Sequence, residues 1–207
     1  MGRLAVESSR FAALKIKLGS DDDFARLAAV RAARPDARLR LDANAGWQRD
    51  EAVALVDRLA QFDLELIEQP VAKDDIAGLG YVQARTAIPV VADESCQTLA
   101  DVEALAAAGV RAINLKLMKA GGLGPGLAML RRARALGLQV MLGCMVETSL
   151  GVTAMAHLAG LADWLDLDGP LLIANDPFVG LHYDERGGIH VPAEPGTGVT
   201  LRDRTTA

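Results

Sequence analysis

Aromatic side chains make up only 4% of this 207-residue chain, and nowhere do they interleave with basic residues as nucleic-acid binding requires. Cationic residues are also in the minority. Lys and Arg number 22 against 27 Asp and Glu, a net charge of −5 with no basic block, which excludes a nucleic-acid partner. No apolar run reaches membrane-spanning length, and Met1-Gly2-Arg3 leads into no signal-peptide core, so no membrane role is expected. Cysteine occurs twice, at Cys96 and Cys144, too far apart in sequence for a metal-type or redox-type pair. A reduced, cytoplasmic setting suits them. Linkers and low-complexity stretches are missing too, so one domain is expected over residues 1–207.

The chain is instead rich in alanine, leucine and valine, with 51% hydrophobic residues, a composition that suits packed helices and buried parallel strands. Short β-rich runs at 14–18, 39–43, 64–68, 90–93, 112–117, 140–144 and 165–168 alternate with alanine-rich segments. Four of those segments, 21–34, 50–61, 98–109 and 124–137, repeat their apolar residues at three and four, the mark of an amphipathic helix. Asp21, Asp50 and Thr98 are the expected N-caps, and Gly109 and Gly137 the expected stops. Strand–helix alternation at this spacing implies parallel strands with right-handed crossovers. Seven strands and six intervening helices fit a (β/α) barrel lacking one unit better than an open doubly wound sheet. Residues 171–207, rich in Gly and Pro, read as a closing hairpin and tail.

The apolar strands end in charge. Lys17, Asp42, Glu68 and Asp93 close four successive strands, with Lys116 near the end of the next and Asp166 and Asp168 on the last. Carboxy-terminal strand ends of a barrel share one mouth, where active sites are built. Three convergent carboxylates repel one another unless a cation neutralises them, and an all-oxygen set favours a hard ion such as Mg2+. Each acid taken alone has a simpler explanation as a helix cap; three at one register, flanked by lysines, favour a metal site. In "ALKIKLG" (13–19) the period of a strand sends Lys15 and Lys17 to one face. Lys15 next to Lys17 would push the latter towards its neutral form, making it a usable base. Lys116, on a strand further round, would face the same carbon from the other side. Two bases about one carbon suit 1,1-proton transfer.

The motifs "KIK" (15–17), "LDAN" (41–44), "IEQP" (67–70), "ADES" (92–95) and "NLKLMKAGG" (114–122) resemble, in order and spacing, the enolase superfamily in its muconate lactonising subgroup. That superfamily uses a Lys or His base with magnesium to stabilise an enediolate. The resemblance implies Asp42, Glu68 and Asp93 as Mg2+ ligands, Lys17 and Lys116 as the opposed acid/base pair, Lys15 as their electrostatic helper, and Asn44 and Gln69 as supporting residues. "WLDLDGPLL" (164–172) is similar to the Asp-x-Asp signature of dipeptide epimerases of the L-Ala-D/L-Glu type, in which Asp166 and Asp168 would face the substrate α-ammonium. "GCMVETSLG" (143–151) resembles the stretch before the seventh helix, with Glu147 as an orienting or capping residue. His157, His182 and His190 have no partner at ligand spacing and read as structural, and Trp47 as packing. The resemblance implies a TIM-like (β/α)7β barrel without its first strand and N-terminal capping domain. It implies a small-molecule dipeptide as substrate, with an o-succinylbenzoate synthase, an N-succinylamino acid racemase or a silent barrel as alternatives. Unpaired strand edges lead us to expect self-association.

Overall fold

The computed structural model describes residues 1–19 and 22–203. A short helix α1 (Gly2–Glu7) precedes β1 (Ala13–Lys17), followed by α2 (Asp23–Ala33), β2 (Arg38–Asp42), α3 (Arg49–Leu59), β3 (Leu64–Glu68) and α4 (Ile76–Gln83). Then come β4 (Val90–Ala92), α5 (Leu99–Ala107), β5 (Ala112–Leu115), the single turn α6 (Leu117–Ala120), α7 (Leu123–Ala135), β6 (Gln139–Gly143), α8 (Ser149–Ala156) and β7 (Trp164–Asp166). All seven strands run parallel in one sheet in consecutive order from β1 to β7. A doubly wound sheet reverses its strand order at a switch point; this one does not. It curls as a barrel does and is left open, because β1 and β7 pair with β2 and β6 but not with each other. The tail carries two small antiparallel pairs. One joins β8 (Phe178–Val179) to β11 (Thr200–Leu201), the other β9 (His182–Tyr183) to β10 (Ile189–His190).

Alternation along the strands creates two cores. The outward residues, such as Leu39, Leu41, Ile67, Val90, Ile113 and Leu142, pack under the helices. The inward residues Leu66, Val91, Ala112 and Met141 form a separate cluster with Trp164, one from each strand from β3 to β7. Two residues further along each strand, on the same face, stand Glu68, Asp93, Asn114, Gly143 and Asp166. The interior is therefore apolar at its base and polar one step nearer the mouth.

Some local expectations are corrected. The expected strand 165–168 stops at Asp166, because Asp168 turns into a 3-10 turn at Gly169–Leu172. Lys116 lies past the end of β5, at the N-terminus of α6. Asp50 is inside the first turn of α3, and Gln48 is the N-cap, its backbone N–H donating to Glu51 at 3.2 Å. Asp21 lies outside the described residues; Asp22 caps α2, accepting from the Ala25 N–H. Thr98 caps α5 as expected, in a reciprocal box with Asp101. Gly109 and Gly137 follow their helices with φ of +81° and +77°, the left-handed geometry that glycine adopts without a Cβ penalty.

Candidate active site

Lys15 is the hub of the interior. Its ammonium lies 2.5 Å from Asp166, 3.3 Å from Glu68 and 3.7 Å from Asp42. Burial would lower its pKa, but Glu68, Asp166 and Asp42 together outweigh that and raise it above the ordinary lysine value. Its charge is thus compensated by three carboxylates. Lys17, two residues on and largely exposed, reaches Asn44 Oδ1 at 3.4 Å and Asp42 at 3.8 Å.

Glu68 has no exposed surface. Burial pushes its carboxyl up to about 7, an effect that Lys15 offsets and that Asp42 and Asp93 reinforce. Its two oxygens are held from opposite sides, Oε1 by the Asn114 amide at 2.7 Å and Oε2 by Lys15. Asp93 faces the other way. Lys116 donates to its Oδ2 at 2.9 Å, and Lys119 to its Oδ1 and, at 2.6 Å, to its backbone carbonyl. Burial would raise Asp93, yet Lys119 and Lys116 bring it below the usual carboxylate range. Lys116 shows the reciprocal effect, lowered by burial but raised overall by Asp93.

The loops behind these side chains are tightly tied. Gln69 is fully buried with φ of +38°, a backbone conformation that surrounding structure must over-determine. Its Oε1 accepts from the Asp93 and Ser95 N–H groups, and its Nε2 donates to Val71 O and Ser95 Oγ. The end of β3 thereby locks the end of β4. Asn44, with φ of +47°, holds Asp42 by its own N–H at 3.1 Å and presents Oδ1 to Lys17. Asp168 has its carboxyl raised by burial and then by Asp166. Beside it Cys144, half-buried, has its thiol pushed up to about 12 by burial.

A cleft of about 1200 Å3 follows the unpaired edges of β1 and β7, from Arg38 and Trp164 at the base to Lys17 and Asp168 at the mouth, and it also takes in Lys116. The structure thus brings Lys15, Lys17, Lys116, Asp42, Asp93, Asp166 and Asp168 to one cavity, with Glu68 buried behind it against Lys15 and Asn114. The other candidates fall elsewhere. His157 meets Thr197 O at 3.2 Å, while His182 and His190 stack on each other at 4.7 Å in the tail. Trp47 is buried in the outer core. Glu147 accepts from the Met145 N–H and does not cap α8; Asp176 does so from the tail, binding the Ser149 N–H and hydroxyl.

The donor chemistry fits a hard divalent ion, since three carboxylates end adjacent strands and the buried Glu68 needs a cation beside it. The expected convergence is not the arrangement seen. Among the described residues no three His, Cys, Asp or Glu groups gather as an ion would require. Lys15 stands between Asp42 and Glu68, and Asp93 turns to Lys116 and Lys119. Buried carboxylates take the nearest cation available, and here those are ammonium groups.

A family model for enolase C-terminal domain-like proteins matches residues 1–205. The chain belongs to this enolase C-terminal domain-like family. It is 41% identical over 187 residues to an L-Ala-D/L-amino acid epimerase of Maribacter sp., an alignment covering 90% of this chain and 55% of that protein. To the L-Ala-D/L-Glu epimerase of Bacillus subtilis it is 42% identical over 199 residues, 91% and 54% of the two lengths. It superposes with a TM-score of 0.92 on the crystal structure of a dipeptide epimerase from Cytophaga hutchinsonii complexed with Mg and D-Ala-L-Val. That match is at 31% identity and covers 99% of this chain and 58% of that one. The chain spans about half the length of the curated relatives it matches.

In this enolase-type barrel, sequence reading left three interior residues without a role: Asn114, Lys119 and Arg40. The signal was present for Asn114, a polar residue at an inward position between Ala112 and Lys116. The same alternation puts Arg40, two residues before Asp42, on the inward face, but nothing local marks its partners: its Nε pairs with Glu65 at 2.6 Å and its guanidinium crosses the opening to Leu165 O at 2.7 Å.

Proposed function

We propose that the chain is the barrel portion of a magnesium-dependent epimerase that inverts the carbon next to a carboxylate by two-lysine 1,1-proton transfer, on an L-Ala-Glu-like dipeptide. One observation carries the proposal. Lys17 on β1 and Lys116 after β5 open into the same cleft with three strands between them, whose ends carry Asp42, Glu68 and Asp93. The names of the relatives agree with this reading. Its two free thiols suit a reducing, cytoplasmic compartment, and among the described residues no helix is long and apolar enough to cross a membrane.

Asp42, Glu68 and Asp93 would hold the ion, which when bound supplies positive charge to the substrate carboxylate as negative charge builds there. One lysine, as the neutral amine, takes the α-proton, and the other, as the ammonium, returns one to the opposite face. Asp166 and Asp168 receive the α-ammonium of the dipeptide. Gln69 and Asn44 keep Asp93 and Asp42 in place.

Calorimetry on the folded protein tests the ion, and solvent deuterium tests the lysines. Mg2+ binding is expected and Glu68→Ala should abolish it. Lys17→Ala and Lys116→Ala should each stop epimerisation, yet each should still exchange the α-proton of one stereoisomer, because the remaining lysine serves one face. Unchanged Mg2+ binding in Glu68→Ala, or full epimerisation in either lysine variant, would remove the proposal.

A further inference from the structure

Asn114 stands one step above the apolar cluster of the interior, in the layer that holds Glu68, Asp93 and Asp166. Its neighbour two residues back on the same face, Ala112, packs with Leu66, Val91 and Met141. Asn114 is as fully buried as they are. Its Nδ2 donates to Glu68 Oε1 at 2.7 Å, while its Oδ1 is buried with no partner. An unmet buried acceptor is a cost, so packing alone does not account for an amide here. What the amide supplies is one donor to an ionised acceptor, the stronger kind of hydrogen bond. The assignment of Nδ2 to that side follows from Glu68, since a carboxylate accepts and does not donate.

Gly143, across on β6, completes the arrangement. A Cβ built there would overlap the Asn114 amide, 2.8 Å from Nδ2 and nearer still to Oδ1. The ring of inward residues thus has no side chain from β6, and Asn114 fills that space as it reaches past β4 to β3.

We propose that Asn114 is the positioning residue for Glu68, and that Gly143 is bare of a side chain because the Asn114 amide must sit against it. Lys15 holds one oxygen of Glu68 and Asn114 the other, so the carboxylate stays aimed into the interior in a single orientation. The proposal rests on the reading of Glu68 as an ion ligand, and the experiment separates the two.

Mg2+ titrations compare the wild type, Glu68→Ala, Asn114→Leu, Gly143→Ala and the double variant Asn114→Leu/Gly143→Ala, each with a thermal melt. Asn114→Leu keeps the branching of the amide but is bulkier and leaves Glu68 Oε1 without its donor, so it is expected to fold with a lowered melting temperature while its Mg2+ affinity falls at least tenfold. Gly143→Ala should lose affinity similarly by displacing the amide. The double variant should be no weaker than Asn114→Leu, because both changes break the same contact. Wild-type affinity in Asn114→Leu, or additive losses in the double variant, would overturn the positioning role while Glu68→Ala upholds the ion. If Asn114→Leu does not fold, Gly143→Ala alone decides by its affinity. If the wild type binds no Mg2+, the ion reading fails, and the contact is judged by the side-chain amide protons of Asn114 in NMR. Slow solvent exchange that Glu68→Leu abolishes supports it, and rapid exchange in the wild type overturns it.

Discussion

Asp168 stands just beyond β7, where burial and the nearby Asp166 raise its carboxyl above the ordinary value. A carboxylate in that setting gains from an ammonium brought against it, since the added charge relieves both effects. The Asp166 carboxylate is already engaged by Lys15, which leaves Asp168 as the freer partner for a substrate amine. Asp168→Ala is therefore expected to lower kcat/KM for dipeptides with a free amino terminus by about one to two decades, as loss of a hydrogen bond to a charged group worth about 1.5–3 kcal/mol implies. Turnover of N-succinyl amino acids, which carry no ammonium, should change little. Steady-state kinetics on both substrates in the whole protein check this. Equal losses on both would favour a racemase of N-succinyl amino acids.

Between neighbouring elements, the pairing of β2 with β3 shifts register between Leu39 and Arg40. The extra residue on β3 is Glu65, and the bulge brings its carboxylate to Arg40. A bulge re-aims a side chain in this way at the expense of one unpaired residue. Arg40 is buried and also satisfies the Leu165 carbonyl on β7. Arg40→Met would leave that carbonyl unmet and Glu65 with the exposed Arg38 at 3.7 Å, and a loss of about 3 kcal/mol is expected, at the low end for removing one partner of a buried pair because Glu65 keeps Arg38 and some contact with water. Urea denaturation of Arg40→Met and of Arg40→Met/Glu65→Leu tests it. The double variant should recover much of the loss, and an unshifted midpoint in the single variant would show that the bridge contributes nothing.

In the whole molecule the dominant feature is the open seam between β1 and β7. Among the described residues it is crossed by side chains, Lys15 to Asp166 and Arg40 to Leu165 O, while the backbone edges of β1 and β7 remain unpaired with each other. Unpaired edges of a parallel sheet invite added strands. The 207-residue chain by itself is expected to self-associate, with a sedimentation coefficient that rises with concentration. It should also epimerise dipeptides feebly, because an open interior lets water weaken each charge interaction at the lysines. A concentration-independent monomer with full turnover would count against both expectations.

Alternation and spacing, both local properties, were enough to place Lys17, Asp42 and Glu68 at successive strand ends, with Asp93 one residue past the end of β4 rather than on it, and to distinguish barrel-type order from a random set of elements. A period of two decides which face a side chain takes whatever the strand later packs against. Thr98 capped its helix as read because both halves of its box lie within four residues. Through-space partners were not legible in this way. Lys15 finds Asp166 across 151 residues, Asp176 caps α8 from the tail, and Asn114 meets Glu68 over a glycine on a third strand. The first of these contacts exists only because the sheet curls until its first and last strands nearly meet. Curling is a property of the assembled sheet, produced by strand twist and by packing under the helices. The sequence alone therefore determined which charged groups point inward. Only the tertiary structure decided which of them neutralise one another, because burial obliges each charge to find its counterpart among whatever the closing sheet brings near.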